Sequence, residues 1–376
     1  MKQAIFGRLL TLMLGLCLLQ PSHAELLIGQ SSPLTGVAAE TGKGLALGAK
    51  VYFDSLNAQG GINGRKIRHL LRDDQYQVSS TIANANELID KDNALALVNF
   101  YGTGNIGELL QQKTLERAGI PLVGVYTGAL ATREPFTPLI YHTRAGYHDE
   151  VDKITRMLAE MGLTDFAVLY QADPFGEAGL VAARKSAEKY RMKLVGAASY
   201  PKLTTDVRVA AETLARLNPS AVIMISITKP TAVFVQTLRA LGGTSQLFNI
   251  SVANYDELVR LDGKDAVHGI GISQVFPSPY ATRLKLIRQY QELLKKYAPQ
   301  AQPSYASLEG FINAKVLAEA IRRAGADPSR AQVARALDGM NNFDLGDVSI
   351  SFSKTNHQGS RFVELTMIGQ SGELAR

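Results

Sequence analysis

Gly102-Thr103-Gly104-Asn105-Ile106-Gly107 has the G-x-G-x-x-G spacing of a dinucleotide-binding turn, after an expected strand and at the start of an expected helix. Small residues there let the backbone approach an anion, and the first N–H groups of the helix have no intrahelical partner. A nicotinamide or flavin site also needs a carboxylate on the tip of the next strand for the ribose. That strand ends in Gly124-Val125-Tyr126-Thr127 without Asp or Glu, so no dinucleotide cofactor is expected. Two readings of the loop stay open: an anion held by the N–H groups and the Thr103 hydroxyl, or a turn that needs glycine for its backbone alone.

Other chemistry falls short on residue type or spacing. Gly36-Val37-Ala38-Ala39-Glu40-Thr41-Gly42-Lys43 is a near miss for a phosphate-binding loop: five residues separate its glycines where four are needed, and Gly44 replaces the Mg²⁺-binding Ser or Thr. G-x-S-x-G and H-E-x-x-H are both missing, and His23, His69, His142, His148, His268 and His357 have no close metal-ligand spacing. No catalytic residue, metal or cofactor is therefore expected, and the chain reads as a non-enzyme.

Further candidates lie after strands, where an open α/β sheet presents ligands. Tyr126-Thr127-Gly128 forms a loop of small residues and hydroxyls that backbone or ligand could approach closely. Arg144 precedes a helix and could face a cleft anion or a hinge carboxylate. Phe175, in Asp173-Pro174-Phe175-Gly176, could cover a ligand or staple the helix that follows. Thr228 and Ser251 end later strand-to-helix turns.

The elements that must hold these residues alternate along the chain. Strands are expected at Leu26–Gln30, Ile67–Arg72, Ala94–Asn99 and Ile120–Val125, with helices at Ser79–Lys91 and Asn105–Ala118. Apolar residues at Leu45, Leu47, Ala49, Tyr52, Phe53 and Leu56 add a helix between the first two strands, a crossover that makes them parallel. A second series follows: helix Tyr147–Met161, strand Asp165–Tyr170, helix Gly176–Arg191, strand Lys193–Ser199, helix Asp206–Leu217, strand Ala221–Ser226, helix Pro230–Leu241, then strands Leu247–Ile250 and Gly269–Gln274. Helices Ala281–Tyr297 and Ser304–Ala324 precede strands Val348–Phe352 and Phe362–Ile368. The fold class is α/β, and a single core stops growing near about 250 to 300 residues, which favours two lobes.

Lys2 and Arg8, the apolar run Leu9–Leu19 and the small-x-small Ser22-His23-Ala24 read as a secretory leader, residues 1–24, cleaved after Ala24. The sole cysteine, Cys17, lies inside it. The net charge of +6 is small for 376 residues and scattered, so nucleic acid is not an expected partner.

The order Ser32-Pro33-Leu34-Thr35-Gly36, then Asn57-Ala58-Gln59-Gly60-Gly61-Ile62-Asn63-Gly64-Arg65-Lys66-Ile67, then Asp73-Asp74 resembles the amino-terminal unit of the type I periplasmic binding proteins, the substrate-binding proteins of branched-chain amino acid type ABC transporters. The similarity continues through most of the chain. It implies two Rossmann-like lobes in the Venus flytrap arrangement, joined by three hinge crossovers near Tyr141–Ala145, Gln274–Pro277 and Leu345–Val348. The lobes would comprise 25–142 plus 276–345, and 143–275 plus 346–376. A ligand between them would meet Thr41 or Glu40, the carboxylate-holding loop Tyr101, Gly102, Thr103 and Asn105, the polar loop Tyr126, Thr127 and Gly128, and the ring of Phe175. Family members that take zwitterions use an acid in the second lobe, whereas Asn249-Ile250-Ser251-Val252 has none. Asp173, Asp256 or Glu40 would have to substitute, or the ligand lacks an amino group or is amide-like. The implied function is capture of an amino acid or related small carboxylate in the periplasm, for permease subunits of an ABC transporter, by a monomer. A ligand-sensing protein of the same fold and a secreted enzyme are the alternatives.

Overall fold

The computed structural model describes residues 24–375, so the expected leader and Cys17 lie outside the described residues except for Ala24. β1 (Leu26–Ser32) pairs parallel with β2 (Ile67–Asp73), from Leu26↔Ile67 to Ser32↔Asp73, and the helix Ala39–Ala58 makes the crossover. β3 (Ala96–Val98), β4 (Leu122–Val123) and β5 (Ile140–Tyr141) extend this into a parallel sheet of order β2-β1-β3-β4-β5.

The second lobe repeats the plan with β6 (Asp165–Gln171), β7 (Lys193–Tyr200), β8 (Ala221–Ile225), β9 (Gln246–Asn249) and β10 (Gly271–Gln274). Every residue of β8 is buried, as its unbroken Ala-Val-Ile-Met-Ile run requires of a strand covered on both faces. After a small hairpin of β11 (Phe343–Asp344) and β12 (Ser349–Ile350), β13 (Glu364–Ile368) and β14 (Leu374–Ala375) add antiparallel edges, giving β14-β13-β10-β9-β8-β6-β7.

Helix Ala39–Ala58 lies unusually close to helix Tyr305–Ala324. A Cβ on Gly48 would stand 1.8 Å from the Ser307 carbonyl oxygen, and one on Gly310 would stand 2.1 Å from that of Leu45. That approach brings Thr41 and Glu309, both buried, to the border of one small cavity.

Several expected boundaries move. Asn105–Ala118 is two helices, Thr103–Gln111 and Thr114–Ala118, because Lys113 takes a left-handed conformation between them (φ 52°). Helices Tyr255–Asp262 and Arg330–Asp338 were not expected. The third crossing also lies later than Leu345–Val348. Leu345, Ile350 and Phe352 pack into the first lobe's core beside Phe53 and Tyr141. His142 N–H donates to the His357 carbonyl at 2.9 Å, and Gly359 N–H donates to that of His142 at 2.8 Å. The chain therefore stays on the first lobe through Gly359 and joins the second sheet only at Glu364. The apolar Leu345, Ile350 and Phe352 need the first lobe's core to be buried, and this overrides the earlier hinge.

Candidate functional site

The glycine-rich loop turns on Gly102, whose φ is 97° and whose absent Cβ would fall 2.6 Å from the Tyr76 ring. Glycine is thus required for the backbone here, while the turn also delivers Thr103 as the first residue of its helix. The Thr103 and Thr127 hydroxyls are hydrogen-bonded at 2.7 Å, one from each of two neighbouring strand ends. Gly128 follows, and a Cβ there would meet Tyr147 Cδ1 at 2.5 Å, so glycine lets the Tyr147 ring lie against the loop. Burial pushes the Tyr147 phenol upward, while the charge of Arg144 and hydrogen bonds from Thr127, the Gly128 backbone and Thr103 pull the other way. The oxygen these three groups face is the Tyr147 hydroxyl itself, which sits beside the paired Thr103 and Thr127 hydroxyls.

Aromatic rings wall this pocket from both lobes. Tyr101 stacks on Tyr126 at 4.9 Å, Tyr76 meets Tyr101 edge-on at 5.0 Å, and Tyr147 meets Phe175 at 5.4 Å. Phe175 comes from the second lobe, held by the N-cap of helix Pro174–Tyr190, where Asp173 accepts from Phe175 and Gly176 N–H at 3.0 and 3.2 Å. Ile227 and Val252 close the far side.

Below Tyr126 lies a second cavity, bordered by Thr41, Ser251, Gln274, Tyr305 and Glu309 and by the apolar Ala253, Val275, Phe276 and Ala306. Arg144 stands behind it, fully buried, with its guanidinium 4.2 Å from the Tyr126 ring centre and 3.7 Å from Glu309. It also donates to the Ser251 hydroxyl. Glu150 accepts from Ser251 N–H and from the Ser273 hydroxyl, both at 2.7 Å. Burial pushes Glu309 up to about 7 against the pull of Arg144, and raises Glu150 as well.

Of the expected residues, Tyr101, Gly102, Thr103, Tyr126 and Phe175 share the aromatic pocket. Thr127 and Gly128 support it, and Thr41 and Ser251 border the second cavity. Asn105 is withdrawn from both: its amide donates to Thr81 at 2.7 Å and its oxygen accepts from Lys202 at 3.4 Å. Thr228 accepts the Asn254 N–H at 3.0 Å, and its neighbour Ile227 reaches the pocket instead. Glu40 is exposed and 3.7 Å from Lys43. Tyr76, Tyr147, Glu150, Gln274 and Glu309 were not anticipated. No group of His, Cys, Asp or Glu that could hold a metal occurs among the described residues.

The lobes also touch directly. Gln171 of the second lobe donates to the Tyr76 hydroxyl at 3.0 Å, Lys202 lies 4.1 Å above the Tyr76 ring, and the Tyr126 hydroxyl reaches the Ser251 carbonyl at 3.4 Å. The described form is closed.

Comparison with known proteins agrees with this architecture. A substrate-binding periplasmic protein from Ralstonia solanacearum superposes with a TM-score of 0.89 at 35% identity, over 93% of this chain and 99% of that one. An amino acid binding protein of Pseudomonas aeruginosa is 25% identical over 317 residues, covering 82% of this chain and 81% of its own. The Leu/Ile/Val-binding protein homolog 7 of Brucella abortus is 22% identical over 372 residues, or 94% and 91% of the two chains. The profile of the periplasmic binding protein family matches residues 25–373, and the chain belongs to that family.

Proposed function

We propose that this protein is the solute-capturing component of an ABC importer, working in the periplasm and delivering an amino acid or related small carboxylate to permease subunits. The reading rests above all on the paired Thr103 and Thr127 hydroxyls at the glycine-rich turn, where a helix begins beneath aromatic walls contributed by both lobes. A carboxylate there accepts charge-assisted bonds from the first lobe, while its apolar body contacts Phe175, Ile227 and Val252 of the second. A ligand that touches both lobes favours the closed form, because only differential contact can shift the equilibrium. The Pseudomonas and Brucella relatives are named for amino acids, which supports the same ligand class.

Small-angle scattering with and without a calorimetrically confirmed carboxylate ligand tests this. The radius of gyration is expected to fall on binding; an unchanged value at saturation would contradict capture between the lobes. Permease subunits are expected to co-purify with the liganded protein.

A further inference from the structure

A groove of about 450 Å³ on the second lobe shares no residue with either cavity of the cleft. It lies between helix Tyr147–Glu160 and helix Pro174–Tyr190. Arg361 and Val363 border it as well, on the third crossing, between Gly359 on the first lobe and Glu364 on the second sheet. The helices bury Val151, Ile154 and Leu158 from one and Leu180, Ala183 and Ala187 from the other, which turns the charged positions between them outward. Ala182 and Ser186, small and buried, leave the space that the groove occupies.

Lys153, Arg156, Lys185, Lys189 and Arg361 border the groove against two carboxylates, Asp149 and Asp152. Both carboxylates are engaged within the protein. Asp149 accepts the Gly146 N–H at 3.0 Å and lies 3.4 Å from His148 Nε2. Asp152 accepts from Lys189 at 2.7 Å and from the Tyr190 hydroxyl at 2.8 Å. Arg156 lies 3.6 Å from Glu160, just outside the border. Glu188 and Glu364, the next acids along the chain, do not border the groove. Among the described residues no carboxylate pairs with Lys153, Lys185 or Arg361, so three cations from three different elements are left for an outside anion.

Exposure and shape decide which anion. Lys185 and Arg361 are exposed and Lys153 is half-buried, and an exposed ion pair strengthens binding by about fivefold at most. One small anion gains little from such a pair, whereas a chain carrying several carboxylates adds three of them in a single association. About 12 Å of helix separates His148 from Arg156, both on the border, and an extended chain covers that distance in about four residues. Its side chains alternate from one side to the other, so an acidic run reaches both helices. We propose that the groove docks an extended acidic segment of a partner protein. The proposal is independent of the carboxylate reading of the cleft.

The test is fluorescence anisotropy at low salt with a labelled peptide of four consecutive glutamates and its four-glutamine counterpart. The glutamate peptide is expected to bind about tenfold to a hundredfold more tightly, and to lose that advantage in about 1 M salt, where charges are screened beyond about 3 Å. Lys153→Ser, Lys185→Ser and Arg361→Ser together are expected to abolish most of the advantage, with an unchanged urea midpoint, and each alone to remove part of it. Arg283→Ser, Lys295→Ser and Lys296→Ser remove the same charge outside the groove and are expected to leave the advantage intact. Equal binding of the two peptides, or an equal loss in both triple variants, would overturn the docking groove. Inorganic phosphate or phosphatidylglycerol vesicles that bind through the three groove cations, when the glutamate peptide does not, would overturn the protein partner in favour of that anion.

Discussion

Thr103→Val removes one of the two hydroxyls paired at the glycine-rich turn. Thr103 is 4% exposed and its hydroxyl is bonded to that of Thr127 at 2.7 Å. A hydrogen bond to a charged group contributes about 1.5 to 3 kcal/mol, so a bound carboxylate is expected to lose about tenfold to a hundredfold in affinity. Stability also falls. An exposed loop residue would change it by only about 0.5 kcal/mol, but here a buried bond is broken, which costs about 1 to 2 kcal/mol. Thr127 keeps one contact, accepting the Ala129 N–H at 3.2 Å, which holds the cost at the lower end. Calorimetry with the natural ligand and with its carboxyl-amidated derivative measures the first effect, and urea denaturation the second. The sum of the single costs of Thr103→Val and Thr127→Val should exceed the cost of the double variant, because both remove the same bond. Wild-type affinity in Thr103→Val, or equal binding of acid and amidated ligand by the native protein, would refute the assignment.

Glu309, held up at about 7 by burial, binds a proton in the folded state that it has lost in the unfolded chain above its ordinary 4.5. Stability from this group is therefore present below pH 4.5 and lost as pH rises to about 7, by at most about 3.5 kcal/mol at about 1.4 kcal/mol per pH unit. His69, pushed down to about 4 by burial, acts oppositely, and Asp256, raised to about 6 by burial, acts in the same direction, so the check is the difference between native and Glu309→Gln denaturation profiles over this range. Equal slopes would refute it. Gly48→Ala drives a methyl into the Ser307 carbonyl and is expected to cost about 3 kcal/mol or more by chemical denaturation, as overpacking between fixed backbones does. Lys202→Ala removes the cation above Tyr76 and is expected to enlarge the unliganded radius of gyration by shifting the lobes open, with stability changed by no more than about 1 kcal/mol; an unchanged scattering curve would count against a closing role.

Much of this arrangement was legible before any coordinates. The first β-helix-β unit, the helix after Gly146 and the buried β8 follow from periodicity, because each carries its own pattern of burial. Glu150 and Glu309 were not legible from loop motifs, since both sit inside helices, where a charge reads as solvent-facing. A signal was nevertheless present. Glu150 lies on the same stripe as Ile154 and Leu158, and Glu309 sits between Leu308 and Phe311 in a helix that is otherwise largely apolar. An acid on an apolar stripe is either paired or functional. The late third crossing had no such signal, because whether Ile350 and Phe352 bury against one lobe or the other depends on packing that no local pattern records.

The most direct test is mass spectrometry of small molecules released by denaturing the protein after export under native conditions. Capture of a carboxylate between the lobes requires about one acid-bearing molecule per chain. Release of a stoichiometric ligand with no carboxyl group, such as a sugar or a nucleobase, would contradict the central claim.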